Sequence, residues 1–331
     1  MGQYESNIGV LLVGIFFNTY LFGIVTVQFI TYYNRDFKDP WWIRTSVAVL
    51  LILDIFHSAA VMYMGWEYCV TNFNNPAIVG VALWPYTFTP IGTGMAAVIT
   101  HSFLSFRIYR LKGKLWLFIA FVVGALVSFA LAVASGTKAW LIKDLDKLSV
   151  LTALVTWWLI FQMVLDTSIA GVMAYALWSS KTGYRKTDNV IHSLIRCAIQ
   201  TGIFSTIFAA GDLIFFATSP NTQFYGMFAI PLGRIYTNTL MHTLNLRDSL
   251  KEILSETIEM TSSTSDKNTK SIQIRVQDNV VTQFDKMEDF NNTRNEGNRR
   301  RRSYSDIKTP VHETHSTTSE VVFANPKHHD A

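Results

Sequence analysis

The sequence predicts an all-α polytopic membrane protein with seven transmembrane helices, N-terminus outside and C-terminus cytosolic, followed by a disordered tail. Three observations carry that expectation. Half of the 331 residues are hydrophobic, 14% are aromatic and only 16% are charged, too oily a balance for one ordinary soluble domain. Seven stretches approach or exceed the roughly 20 mostly apolar residues a helix needs to cross a bilayer. They lie at about 8–32, 46–66, 80–106, 115–135, 150–178, 197–217 and 225–245. The connections between them alternate in charge. One side carries Arg35, Lys38 and Arg44, then Arg107, Arg110, Lys112 and Lys114, then Lys181, Arg185, Lys186 and Arg196. The other side carries only Lys138, Lys143 and Lys147, so the positive-inside rule puts the N-terminus outside.

Taken in chain order, the first span starts at Ile8 with no basic flank and no small-residue cleavage site, so it reads as an uncleaved span rather than a signal peptide. The second holds "LILDIFHSA", residues 51 to 59, with Asp54 about 15 Å and His57 about 20 Å beyond Arg44 at the helical rise. The two are three positions apart and share a helical face. A carboxylate there can fix an imidazole tautomer, relay protons or help hold a metal, or the pair can act as a hydrogen-bonded interhelical clamp, the preferred reading. In the third span "TPIGTG" suggests a kink and close packing rather than a phosphate loop, and His101 is placed near the inner face, six residues before Arg107.

Gly124 and Ser128 in the fourth span are small residues suited to helix packing, and Asp166 in the fifth falls near mid-depth. Asp212 in the sixth and Arg234 in the seventh lie about 12 and 15 Å from the outer face on consecutive antiparallel spans. A buried Asp212–Arg234 salt bridge is therefore expected, with Asp54 the competing acceptor, because an unpaired intramembrane Arg is costly. "PLGR", residues 231 to 234, is expected to loosen the seventh span and free backbone carbonyls. Residues 1–247 thus form the membrane domain. Leu246, Leu250, Ile253, Leu254 and Ile258 recur at helical spacing, so 248–260 reads as an amphipathic juxtamembrane helix or a short extension of span seven. Residues 261–331 are polar and read as disordered. There "RRRRSYS" offers Ser303 and Ser305 as candidate phosphosites, and Asn291 opens a sequon that a cytosolic tail would leave unmodified.

Several chemistries are disfavoured. Cys69 and Cys197 fall on opposite sides and cannot meet. No core lysine could carry retinal, and no nucleotide-binding or nucleic-acid motif is present. There is no HxxxH or HExxH pair, and His57, His101 and His242 do not share a plane, so neither a catalytic centre nor a metal site is expected and an intramembrane zinc hydrolase is only a remote alternative. No cofactor is expected.

"LDTSIAGVMAYALW" (165 to 178), "YRKTDNVIHSLIRCAIQTGIFSTIFAAGDLIFF" (184 to 216) and "IYTNTLMHTLNLR" (235 to 247) resemble a family of fungal, mainly basidiomycete, integral membrane proteins catalogued as a domain of unknown function. "LDIFH" and "NNPAIVGVALWP" are similar to its upstream pattern. The resemblance implies a seven-span architecture without an established activity. It implies structural or signalling roles for Asp54, His57, Asp166, Thr187, Asp188, Thr201, Gly202, Tyr236, Asn238 and Asn245, whereas Asp212 and Arg234 depart from the pattern.

The function expected is receptor-like sensing or signalling at the plasma membrane, with an unknown small-molecule or lipid ligand and a cytosolic signalling partner. Asp54, His57, Asp166, Asp212, Arg234, Tyr236 and Asn238 are its polar-core candidates. The alternative is a small-molecule or proton-coupled transporter. Span three ends in "SFRIYR" rather than DRY and span seven lacks NPxxY, so kinship with the known receptor classes is architectural.

Overall fold

The computed structural model describes residues 5–35, 39–143, 150–181, 185–219 and 222–264, all within the first of two units, residues 1–284; side chains beyond 247 lie outside the described ones. Ser303, Ser305 and the rest of the tail also lie outside them, as does the side chain of Thr187.

Among the described residues the fold is all-α, with seven α-helices and no strand. They are α1 (Val10–Asn34), α2 (Trp41–Trp66), α3 (Trp84–Lys112), α4 (Leu115–Ile142), α5 (Thr152–Trp178), α6 (Arg185–Thr218) and α7 (Phe224–Thr264). Short helical turns at Glu5–Gly9, Glu67–Thr71 and Pro76–Gly80 sit at or beyond helix ends, so the stretch expected to open a span at 80 closes a 3₁₀ turn instead. The boundaries follow local chemistry. Pro85 stands in the first turn of α3, where its missing N–H breaks no helical bond, and Gly113 ends that helix in the left-handed region at φ 69°. α4 ends the same way at Lys143, φ 56°, whose carbonyl accepts from the Ala82 N–H and so ties this terminus to the segment entering α3.

α1, α2, α4, α5 and α6 form the outside of the bundle, and these five are long and apolar enough to cross a membrane. They expose rows of large apolar side chains, such as Val13, Phe16, Tyr20, Val27 and Ile30 on α1, an apolar surface that water would not tolerate and lipid does. Exposed tryptophans mark the helix ends: Trp41, Trp116 and Trp178 at one end of the bundle, Trp66, Trp84 and Trp140 at the other. The 26 residues from Trp41 to Trp66 correspond to about 38 Å, between the hydrocarbon and the full thickness of a bilayer.

α3 and α7 are the inner helices. Each packs on several others, and among the described residues α7 exposes no large apolar side chain and α3 only Trp84. Facing protein rather than lipid, they can afford Thr, Ser, His and Arg, which is why they miss the apolar criterion the outer five meet. α7 stays helical through Pro231, so "PLGR" does not break it. A proline removes only its own N–H bond and leaves the carbonyl four residues earlier, that of Met227, without its helical partner. Gly14 of α1 lies against that residue, and a Cβ there would stand 2.9 Å from the Met227 Cα. Gly136 of α4 is equally constrained, since a Cβ there would stand 2.7 Å from the Thr87 carbonyl oxygen of α3, whereas Gly124 packs on Leu165. Small residues thus set the close approaches expected within a bilayer.

Candidate functional site

Helical spacing builds the first polar cluster. Asp54, His57 and Ser58 occupy positions i, i+3 and i+4 of α2, so all three project from one face. That face meets Arg234 of α7, whose side chain is 2% exposed. One guanidinium nitrogen, Nη1, donates to Asp54 Oδ1; the other, Nη2, lies 3.0 Å from the Asp54 carbonyl, 3.0 Å from His57 Nδ1 and 3.3 Å from Ser58 Oγ. Thr237, one turn along α7, donates to the same carboxylate at 3.2 Å.

The partner of Arg234 is therefore Asp54 rather than Asp212. Equal depth along the membrane normal permits both pairings, but the α2 face supplies a carboxylate, a carbonyl, an imidazole nitrogen and a hydroxyl together. A guanidinium has five donors to place, and a single carboxylate cannot satisfy them.

The tautomer of His57 follows. Arginine only donates, so Nδ1 must accept from it, and Nε2 then carries the proton and donates to Thr89 Oγ1 at 3.2 Å. The Thr89 hydroxyl in turn donates to the Pro85 carbonyl at 2.9 Å. The chain from Arg234 through His57 and Thr89 to Pro85 is consistent in direction. A second proton on His57 would set an N–H against the Arg234 N–H, so this geometry suits an imidazole with one proton, on Nε2.

A second cluster is built on Tyr236, two residues past Arg234 on another face of α7. Tyr236 Oη donates to Asp166 Oδ2 at 2.7 Å, and His101 Nε2 lies 2.7 Å from Oδ1. Gln162, one turn before Asp166 on α5, donates to Tyr236 Oη at 2.8 Å and accepts from Ser128 of α4. Thr100 of α3 donates to the Tyr236 carbonyl at 3.1 Å. The cluster joins α3, α4, α5 and α7 and lines a cavity of about 40 Å³ between the later halves of α3 and α5, the earlier part of α6 and the stretch of α7 from Tyr236 to Thr243. Thr201 and Gly202 also line it, and Thr201 is bonded to its own helix at Cys197 O.

His101, weighed in the sequence as a possible metal ligand, is buried and paired with Asp166, and α3 continues past Arg107 to Lys112. Gln162, Ser128, Ser58, Thr89 and Thr237 are neutral, so a search for charge passes over them; the i, i+3 and i+4 offsets from Asp54, Arg234 and Asp166 could have found Ser58, Thr237 and Gln162.

Asn238 belongs to a third group, where Gln28 Nε2 of α1 donates to its Oδ1 at 2.6 Å and Asn245 donates to the Gln28 carbonyl at 2.9 Å. Beside it Arg247 grips Asp39 of the α1–α2 connection with two hydrogen bonds of 2.6 and 2.7 Å, and Tyr32 donates to the same carboxylate at 2.8 Å. Burial pushes the Asp39 carboxyl up, but the Arg247 guanidinium outweighs it and holds the group below its ordinary value.

Asp212 stands apart. It is 3% exposed, and among the described residues no donor reaches it. It lines a cavity of about 70 Å³ at the end of the bundle where α3, α5 and α7 begin and α4 and α6 finish. Tyr86, Trp158, Phe216 and Tyr225 also line it, and so does Thr89, the acceptor of His57. Among the described residues no three His, Cys, Asp or Glu side chains gather to hold a metal, and Cys69 and Cys197 are free thiols.

Residues 162–249 match a family of unknown function, DUF6534. The match takes in most of α5, all of α6 and α7 as far as the described side chains extend, and so includes Asp166, Asp212, Arg234 and Tyr236, but neither Asp54 nor His57. No curated protein and no solved structure matches the chain.

Proposed function

We propose that the chain is a receptor-like integral membrane protein that crosses the plasma membrane seven times, N-terminus outside and C-terminus in the cytosol. One observation carries the reading. The cavity at the N-terminal end of the bundle is one hydrogen bond, Thr89 to His57, from the Arg234–Asp54 pair that ties α2 to α7. A small molecule or lipid group entering it from outside changes the setting of Thr89, and α7 runs from there to the opposite end. Five outer helices meet the apolar criterion, and α3, with 29 residues or about 43 Å of helix, is long enough to cross beside them. So is α7. Arg110, Lys112, Lys114 and Lys181 lie at the end away from the cavity, which the positive-inside rule assigns to the cytosol. Residues 248–260 then serve as a juxtamembrane helix and 261–331 as a cytosolic tail bearing Ser303 and Ser305, with a fungal source the expectation from the resemblance.

A transporter is the second reading, favoured by the two cavities in opposite halves of the bundle. Against it, the groups between them are held by directed hydrogen bonds, His57 between Arg234 and Thr89 among them.

Topology is tested by placing cysteines at Asn72 and Lys114 in a background lacking Cys69 and Cys197. An impermeant maleimide should label only Asn72→Cys in intact cells, and labelling of Lys114→Cys would reverse the orientation. For signalling, a fluorophore at Leu246→Cys should respond to ligands added outside. A silent reporter across a broad ligand panel overturns the receptor reading, and solute accumulation in proteoliposomes replaces it with the transporter.

A further inference from the structure

Asp212 is the one buried carboxylate among those described that no donor reaches. An ionised carboxylate in a low-dielectric interior is expensive unless a cation or several donors meet it. Asp54, Asp166 and Asp39 all have such partners from within the chain. Asp212 instead forms part of a cavity wall, and the rest of that wall has a definite chemistry. Four aromatic rings contribute, Tyr86, Trp158, Phe216 and Tyr225. Phe216 and Tyr225 meet edge to face at 4.9 Å, and Tyr225 meets Tyr86 in the same way at 6.3 Å. Aromatic faces attract organic cations, and rings around a carboxylate suit an ammonium group whose methyl or methylene shell needs no water.

Two further wall residues hold buried polar atoms without partners: the Trp158 indole Nε1 and the Thr93 hydroxyl. Both can donate, so they ask for an acceptor on the occupant. The volume, about 70 Å³, is that of two or three water-sized groups at roughly 30 Å³ each, so it encloses only a compact head group. An inorganic cation fits poorly, because it needs several oxygens and this wall is largely aromatic and aliphatic.

We infer that this cavity is a binding site for a small organic ammonium ion carrying a hydroxyl or carbonyl a few bonds from the nitrogen, with Asp212 as its counter-ion. The rings surround the cationic head, and the Trp158 N–H and Thr93 O–H meet the acceptor. Binding itself needs only the site; that the ion is a signalling ligand rests on the receptor reading.

The test uses the full-length protein in lipid nanodiscs, with choline as probe and 3,3-dimethylbutan-1-ol as its uncharged carbon isostere, followed by calorimetry. Choline should bind saturably and the isostere at least about tenfold more weakly. Asp212→Asn should weaken choline by at least about 30-fold with an unchanged melting profile. Trp158→Phe, which keeps a ring and loses the N–H, should cost about two- to tenfold. Equal affinity for the isostere, wild-type affinity in Asp212→Asn, absence of saturable choline binding, or displacement of choline by equimolar sodium would each overturn the assignment. Should Asp212→Asn misfold, the comparison of choline with its isostere on the native protein still decides. Choline that binds without moving the Leu246→Cys reporter refutes signalling and leaves the site standing. A reporter moved by other compounds but not by choline, with no choline bound, does the reverse.

Discussion

Replacing Asp54 by Asn takes away the carboxylate from a guanidinium that has no route to water. Arg234 keeps the Asp54 carbonyl, His57 Nδ1 and Ser58 Oγ, all within 3.3 Å, but these neutral acceptors do not cancel its charge. Breaking a buried ion pair from one side costs about 3–5 kcal/mol. Arg234→Met should cost about 3 kcal/mol, since Asp54 would retain only Thr237 as a side-chain donor. The double variant Asp54→Asn/Arg234→Met removes both charges and should be at least about 2 kcal/mol more stable than the sum of the singles implies. Reversible unfolding by SDS in mixed micelles measures all four corners of the cycle. A second cycle with Asp212→Asn is the control, and there the two substitutions should add to within about 0.5 kcal/mol. Coupling of Arg234 to Asp212 in place of Asp54, or to neither, refutes the pairing and with it the route from the cavity to α7.

Other perturbations probe the remaining contacts. Asp39→Asn should be less stable than wild type at neutral pH; because the folded carboxyl titrates below its ordinary value, the wild-type advantage is full above the unfolded value of about 3.9 and fades as pH falls through the lower folded one, as melting profiles against pH would report. Gly136→Ala should destabilise by about 1–3 kcal/mol, because its Cβ would meet the Thr87 carbonyl, whereas Gly23→Ala, with nothing within 4 Å, should be neutral or stabilising by up to about 1 kcal/mol; paired unfolding curves check both. Tyr236→Phe leaves Asp166 Oδ2 and Gln162 Nε2 without this partner and should cost about 1–3 kcal/mol in the same assay. Thr89→Val strands the His57 Nε2–H and should cost a similar ~1–3 kcal/mol, while silencing the Leu246→Cys reporter to compounds that still bind.

What the sequence made legible divides by dimension. Apolar length and basic loops place residues along the membrane normal, and depth counting did bring Asp54 and Arg234 to compatible levels. It has nothing to say about rotation around the normal, which decides whether Arg234 of α7 turns toward α2 or α6. The clue on that axis was the spacing of Asp54, His57 and Ser58, three hydrogen-bonding side chains on one face against a lone Asp212. Helix ends were the other weak point. Apolar windows stop where composition changes, but a helix continues while its residues tolerate the backbone, as from Arg107 to Lys112 in α3. Each such extension shifts the origin from which depth is counted, so composition alone fixes depth less well near helix ends than near their middles.

The polar residues gather on α3 and α7 because those helices meet protein on nearly all sides, and the gathering has a mechanical consequence. Arg234, Tyr236 and Thr237 occupy scarcely one turn of α7, yet they bond to α2, α5 and, through Thr100, α3. Rotation or translation of α7 by a few ångströms breaks the Asp54 and Asp166 contacts together, since both depend on the same short segment. Coupled contacts of this kind do not deform gradually; they hold in one arrangement or exchange for another. Thr89 and Leu232 put the cavity wall against that segment, and the bonds of Asn238 and Arg247 lie beyond it on the same helix. On the receptor reading, an occupant that pulls on the wall would therefore act where α7 is most densely bonded, and its effect would pass along that helix rather than across the outer shell.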